Sequence, residues 1–491
     1  MIEQVADEHT YGNWSTREST GHWGLTSKAT YSVIGLAFIS IALMRLTNNI
    51  LAGCIVALVG LALILGSAWR TQGLSVYDRI SDNTRHAVAR ARGETKYRAG
   101  ILSPLGGSPL PGYGAHIELH SYMTLDGAVV GLLVDTEQHT ITVIWRVDPI
   151  GEENIDSDDR DRMVAFWGVF QRDLGQYGDI ELATATVDGY PSTGLRQIVA
   201  LESALHDDAP IEAANDIREV EEELPANSFD AQHRIAVSFG YTGDWKDRIV
   251  DIARRFHPIT VDIHACDMDC RILRAEEIVE FVRRAHDPST QVDFEDLRAH
   301  GIAHELTWDN VGPSAHDDER NYYMHENAIS TNYVVWEWPK DGVADYILHP
   351  LLEVNPRIPR KRVTLIYRPE TAPNARAIVE NQERDAMRAS QRLKRGIQDV
   401  DAMNRRDAVT QSREEVSRGA GWIAMAIIIT VTFSPEMDSA TVDSIISDLN
   451  TQCSLRCRPA YCHQASTFQY GLGIGLIPPT TKTKKKRPLN G

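Results

Sequence analysis

Nowhere in its 491 residues does the chain spell Gly, four residues, then Gly-Lys-Ser/Thr. That pattern wraps backbone amides around nucleotide phosphates and brings a lysine and a magnesium-binding hydroxyl, so its absence excludes a P-loop motor. The nearest approach is GLGIGLIPPTTKTKKKRPLNG, where Gly471, Gly473 and Gly475 precede Pro478 and Pro479. No helix signal follows to aim N-terminal amides at an anion. The stretch is therefore expected to be the end of a final strand, Ser466 to Leu476, then a proline stop and a basic tail over 477–491. An excess of positive charge is also missing: 68 Asp and Glu against 50 Lys and Arg give a net charge of −18. Phosphate contacts need clustered Lys and Arg, so no direct nucleic-acid site is expected. Cysteines number only six, with Cys54 inside an apolar run. They are too few for a disulfide framework, which implies a reducing compartment.

What the chain does have is two long apolar runs near its start. Ala29 to Leu46 and Ile50 to Trp69 enclose only one charged residue, Arg45, beside the polar turn Thr47-Asn48-Asn49. Runs of about 18 to 20 residues are long enough to cross a hydrocarbon core of roughly 30 Å at 1.5 Å per residue. The expectation is a transmembrane helical hairpin over 29–69, after a leader over 1–28. Gly53, Ala57 and Gly60 are small enough to let the two helices pack closely in the bilayer. Arg70, Arg79, Arg85, Arg90 and Arg92 follow the second run in a basic linker over 70–112. By the positive-inside rule they place both termini in the cytoplasm, in contact with the lipid bilayer. A buried soluble hairpin is disfavoured by the near absence of polar residues, and a cleaved signal peptide by the lack of a basic start.

The remainder reads as α+β. AVVGLLVD (Ala128 to Asp135) and TITVIWRVD (Thr140 to Asp148) form a hairpin pattern around a polar turn. Met163, Phe166, Trp167, Phe170 and Leu174 mark an amphipathic helix. Strands are expected near Ile180 to Val187, Arg234 to Tyr241 and Ile259 to Asp267, with helices over an acidic stretch from Ile198, after an Asp244 cap, and over Glu276 to His286. The theme returns in Ser330 to Trp338, Tyr346 to Leu352, Arg362 to Pro369, Trp422 to Phe433 and Ser439 to Asn450. A charged helix pair is expected from Thr371 to Arg418. Element order thus suggests two ferredoxin-like α/β units, 113–300 and 301–476, each a sheet with one covered face.

Candidate chemistry is sparse. Cys453, Cys457, Cys462 and His463 are zinc-ligand types, but their spacing departs from paired Cys-x2-Cys knuckles. His264, Cys266, Asp267, Asp269 and Cys270 form a second cluster, in which Asp269 is expected to cap the following helix. The stretch GPSAHDDERNYYMHEN (Gly312 to Asn327) is dense in acids and histidines but has no accompanying nucleophile or oxyanion motif. No catalytic residue, metal or cofactor is assigned.

Several motifs occur in order: YGNW (Tyr11 to Trp14), the hairpin, Asp78-Arg79, RDRMVAFWGVF (Arg160 to Phe170), WDNVGPS (Trp308 to Ser314) and STNYVVWEWP (Ser330 to Pro339). Together they resemble an actinobacterial family of two-span membrane proteins of conjugation-like type IV secretion clusters. The hairpin is similar to the small two-span secretion subunit, and the rest resembles the non-motor N-terminal part of the VirB-type ATPase. STREST (Ser15 to Thr20) departs from the family's basic, proline-containing opening. The resemblance implies a non-enzymatic inner-membrane scaffold, a homo-oligomer, that partners a VirB-type ATPase and a PrgI-like small membrane protein. Alternatives are a type VII secretion membrane component, or a membrane-bound metal-dependent enzyme using the His264 or His316 region.

Overall fold

Most runs with strand character pair into one antiparallel sheet of 13 strands, flanked by helices in a mixed α+β fold. The computed structural model describes residues 70–100, 106–151, 155–204, 229–339, 343–392 and 421–478, together with isolated positions elsewhere. From residue 70 onward the elements are α1 (Val76–Arg92), β1 (Lys96–Arg98), β2 (Ile117–Met123), β3 (Val129–Asp135) and β4 (Thr140–Pro149). Next are α2 (Ser157–Gln176), β5 (Ile180–Pro191), α3 (Leu195–Ala204) and β6 (Phe229–Gly240). Helices α4 (Trp245–Ala253) and α5 (Phe256–Ala265) lead to β7 (Met268–Ile272), α6 (Ala275–His286) and α7 (Gln291–Ala299). The second half holds β8 (Ala315–Asp318), β9 (Tyr323–His325), β10 (Ala328–Glu337), α8 (His349–Leu352) and β11 (Arg360–Glu370). It ends with α9 (Ala372–Arg392), β12 (Trp422–Phe433), α10 (Ser439–Gln452), β13 (Arg456–Pro459) and α11 (Gln464–Tyr470).

The strand order is β1-β8-β9-β10-β12-β11-β5-β6-β4-β3-β2, with β7 also on β4 and β13 also on β10. Two segments of chain repeat one connection. The series β4-α2-β5-α3-β6-α4-α5-β7 lies in the sheet as β7-β4-β6-β5, and β10-α8-β11-α9-β12-α10-β13 lies as β13-β10-β12-β11. In each, the fourth strand is followed across the sheet by the first, the third and the second. The halves join through their second strands, β5 and β11, from Ala183↔Tyr367 to Gly189↔Lys361.

Consecutive apolar residues in the central strands bury both sheet faces. On one face Val143, Trp145, Val237, Leu365 and Ile429 pack with Phe170 and Leu174 of α2, Ile259 and Ile263 of α5, and Ile446 of α10. On the other, Ile144, Ala236, Ile366 and Ile428 pack with Ile278 and Phe281 of α6, Phe468 of α11, and Leu472, Ile474 and Leu476. The expectation of one covered face is therefore corrected.

Two further expectations are corrected. Ile259 to Asp267, rich in β-branched residues, is not a strand: Phe256, Ile259 and Ile263 recur at helical spacing, and their burial on the sheet outweighs local propensity. Ser466 to Leu476 is helix α11 followed by an irregular segment; Gly473 and Gly475 have φ of +71° and +85°, outside strand geometry. Asp269 lies in β7 rather than at a helix start, where Glu277 instead accepts the Arg274 amide at 2.9 Å. Asp244 does cap α4, accepting from the Lys246 amide at 3.0 Å. The 70–112 linker carries a helix and a strand, β1, that pairs with β8 of the second half.

Most of the 29–69 hairpin lies outside the described residues; Gly35, Phe38, Ser40, Ile41, Ala42, Met44, Arg45, Val56, Leu58, Gly60 and Gly66, which are described, are helical. Among the described residues no helix is long and apolar enough to cross a membrane. The charged stretch after β11 is described mainly as α9, held to the body at its start by buried Ala375 and Val379. The rest of the expected pair lies largely outside the described residues, although Arg413 reaches Glu383 at 2.8 Å.

Candidate functional site

Two surfaces concentrate unusual geometry: the polar underside of the sheet and helix α1. The underside begins with strand residues that alternate toward it. Thr142, Ser238, Thr186, Thr364 and Thr430 set hydroxyls across β4, β6, β5, β11 and β12. Thr142 bonds Ser238 at 2.8 Å, and Thr186 bonds Thr364 at 3.3 Å.

The glycine-spaced stretch lies over this hydroxyl row as a strap. A Cβ on Gly471 would sit 3.1 Å from Thr430 Oγ1, one on Gly473 2.5 Å from Thr186 Oγ1, and one on Gly475 1.9 Å from Thr142 Oγ1. Only a residue without a side chain permits that approach. Between them Leu472, Ile474 and Leu476 are buried in the second core. Thr364 donates to the Gly471 carbonyl at 2.7 Å, and the Ile477 amide donates to Gln138 at 3.0 Å. Arg368 then donates to the Pro478 carbonyl at 3.1 Å. The strap thus crosses from the second half to the first, over the β5–β11 junction.

Beside it lies a buried charge cluster. Asp188 is fully buried and accepts from Arg360 at 3.2 and 2.8 Å, with Arg234 at 3.7 Å. Burial opposes ionisation of Asp188, but Arg360, Arg362 and Arg234 outweigh it and hold the carboxyl well below its ordinary range. Burial presses the guanidinium groups the other way, Arg362 to about 9 and Arg234 to about 10. Arg284 and Arg234 share the Gln232 carbonyl at 2.8 and 3.0 Å. Aromatic rings cover the cations: Arg284 lies 4.6 Å from the Tyr190 centroid, Arg234 4.1 Å from Phe281 and Arg362 4.8 Å from Phe468. Next to Phe468, His325 Nδ1 donates to the His286 carbonyl at 2.5 Å, while its Nε2 meets Ser330 Oγ at 2.7 Å. A carbonyl cannot donate, so Nδ1 of His325 carries a proton. Burial pushes His325 and His316 down to about 4.

Helix α1 is built to begin and end where it does. Ser75 Oγ accepts from the Asp78 amide at 3.2 Å, Asp78 accepts from the Ser75 amide at 3.1 Å, and Gly93 closes the helix with φ of +75°. Its polar side faces the body. Asn83 accepts from Arg320 at 3.0 Å, Asp82 meets His463 at 3.6 Å, and Arg90 meets Glu319 at 2.8 Å. No residue of α1 is buried, and Val76, Tyr77, Ile80 and Val88 are 36–54% exposed.

The basic residues expected beside the hairpin fall on or near this helix. Arg79, Arg85, Arg90 and Arg92 belong to α1, and Arg70 is an exposed residue of a two-residue ladder just before it. Of the expected packing residues, Gly60 is helical and buried, whereas Gly53 and Ala57 lie outside the described residues.

The cysteine clusters do not converge. Cys266, Cys270, Cys453, Cys457 and Cys462 are free thiols, and among the described residues no three His, Cys, Asp or Glu side chains are placed to hold a metal. Cys270 Sγ comes within 3.9 Å of His264, while burial pushes the Cys270 and Cys266 thiols up to about 11.

Sequence reasoning missed the charge cluster and the exposed apolar side of α1. The first was signalled by Asp188, Arg234, Arg360 and Arg362 inside strands, and the second by apolar residues at helical spacing among the arginines. No family model matches the chain, and no curated protein matches it.

Proposed function

We propose that the chain is a non-enzymatic inner-membrane scaffold of a type IV secretion or conjugation-like apparatus, docking a separate VirB-type ATPase. An N-terminal helical hairpin anchors it, with both termini cytoplasmic. The apparatus is supported by the ordered motifs from Tyr11 to Pro339, and the anchor by one geometric observation. Thr10–Tyr11, before the apolar runs, pairs with Val343–Ala344. Gly73, after them, packs on Trp336: a Cβ built on it would sit 3.3 Å from Trp336 Cβ and 3.4 Å from the ring's Cε3. Both flanks of the runs therefore return to one body. A single crossing of roughly 30 Å would separate them, so the runs cross twice or not at all.

Exposed apolar residues favour two crossings. Phe38 and Leu58 are 70% and 71% exposed, where a soluble helical hairpin would bury them. Each half of the body is a ferredoxin-like unit, supported by its fourth-first-third-second strand order. Together with the acidic surface, the two units present faces for protein partners rather than a reaction centre.

The test is purification of the full chain from the membranes of its host, with a VirB-type ATPase expected among the proteins it retains. A stable complex that survives detergent solubilisation is expected. An ATPase that elutes free of the chain under conditions where both are folded refutes the scaffold reading. Calorimetry with ATP is expected to show no saturable micromolar binding to the chain itself.

A further inference from the structure

Helix α1 inverts the usual arrangement of a surface helix. At about 100° per residue, Val76, Tyr77, Ile80, Thr84, Ala87, Val88 and Ala91 fall on one side. All seven are exposed. The partly buried residues, Arg79, Ser81, Asp82, His86 and Ala89, fall largely on the opposite side, against the body. A soluble helix would turn the first set inward.

The apolar stripe has charged margins. Arg85 and Arg92 lie along one side of it, and Arg79 and Arg90 along the other. That is the pattern of a helix lying in a membrane interface, with its apolar face among the upper acyl chains and Arg85 and Arg92 reaching back to headgroup phosphates while Arg90 holds Glu319 of the body. The stripe is also continuous with the second apolar run. A Cβ on Gly66 of that run would sit 3.3 Å from the Tyr77 hydroxyl.

From these observations we propose that α1 lies flat in the cytoplasmic surface of an anionic bilayer on its Val76–Ile80–Val88 face, while its Asp82–Asn83–Arg90 side holds the sheet body. This rests on the anchor reading above. It goes further by fixing which side of the body faces lipid: the side carrying Glu319, Arg320 and His463.

The experiment uses the full chain in phosphatidylcholine–phosphatidylglycerol vesicles, with Ile80→Cys or Val88→Cys and, as the water-exposed reference, Leu125→Cys at a position 90% exposed. Burial raises the native Cys266, Cys270, Cys453, Cys457 and Cys462 thiols, which therefore react slowly near neutral pH, and labelling of the unsubstituted chain, which includes Cys54, is subtracted as background. A charged maleimide is expected to label positions 80 and 88 about tenfold or more slowly than position 125. A fluorophore placed at 80 or 88 is expected to be quenched by lipids brominated high on the acyl chain. Labelling as fast as at Leu125 overturns the proposal. So does protection without lipid quenching, which would mean that a second copy or a partner protein covers the face. Alkaline extraction reports the hairpin separately. An extractable protein whose labels are quenched keeps the interfacial helix and removes the span, whereas a resistant protein with unquenched labels does the reverse.

Discussion

Replacing Gly475 with alanine isolates what the glycine strap needs. The residue sits at φ of +85°, where a Cβ costs about 1–2 kcal/mol in backbone strain. The added methyl would also lie 1.9 Å from Thr142 Oγ1 and 2.7 Å from Ser238 Oγ, far inside van der Waals contact. Both hydroxyls sit on central strands that cannot swing aside, so overpacking adds about 1–3 kcal/mol. The expected loss is about 2–5 kcal/mol. Gly178→Ala is the reference: its φ of +75° is similar, but nothing lies within 4 Å, so only the strain remains. Thr142→Ala in the Gly475→Ala background removes the closest contact and leaves the 2.7 Å ones, so partial rescue with a coupling of about 1 kcal/mol or more is expected. Denaturant midpoints of the full chain give the global loss. Hydrogen exchange at the Leu472 to Leu476 amides reads strap release directly. The reasoning fails if Gly475→Ala costs no more than Gly178→Ala, or if the two changes at the strap are additive.

Stability should also fall as the pH drops from 6.5 toward 4, because His325 and His316, held near 4 when folded, bind protons only on unfolding. At about pH 5.5 each costs about 1.4 kcal/mol. Asp318, raised by burial to about 6, returns about 1 kcal/mol by binding its proton when folded, and calorimetric Tm values on either side of pH 6 should show the net loss. A profile unchanged by His325→Gln would contradict that assignment. Asp188→Asn should cost about 3–5 kcal/mol, measured by denaturant unfolding, since it leaves Arg360 and its neighbours buried without their counter-charge. A chain starting near Gly73 should leave the membrane fraction. If it still sediments after a high-salt wash, α1 holds more of the lipid contact than the hairpin does.

Legibility in the sequence followed how local each signal is. The β3–β4 hairpin, α2, α4, β10, β11 and β12 were all visible, because periodicity and the Asp244 cap are encoded within a few residues. Ile259 to Asp267 reads as a strand because Ile259, Val261 and Ile263 are strand formers by themselves. Only the sheet face waiting beneath them makes the three-four spacing of Phe256, Ile259 and Ile263 the stronger term. The strap was misread for the opposite reason. Gly-x-Gly-x-Gly alternates like a strand, and nothing local reveals that Thr142, Ser238 and Thr186, all hundreds of positions away, occupy the space a side chain would need. The charge cluster is non-local in the same way, since Asp188 and Arg360 become partners only when β5 and β11 pair.

Helix α1 and the strap are connected through the chain itself. Asp82 meets His463, and one residue later α11 begins; α11 ends at Tyr470, and the strap begins at Gly471. A force on α1 therefore reaches the β5–β11 junction through one short helix whose Gln464 bonds Asn332 of β10 at 2.8 Å. The contacts holding α1 to the body are exposed or half-exposed ion pairs and the hydrogen bond from Arg320 to Asn83, each worth about 0–1 kcal/mol. The strap is seated among fully buried groups and cannot lift without exposing Leu472, Ile474 and the hydroxyl row together. Strain along this path would be relieved first at Arg90–Glu319 and Asp82–His463, leaving the strap closed. The weak end of the linkage is thus at the helix and the strong end at the junction of the two halves.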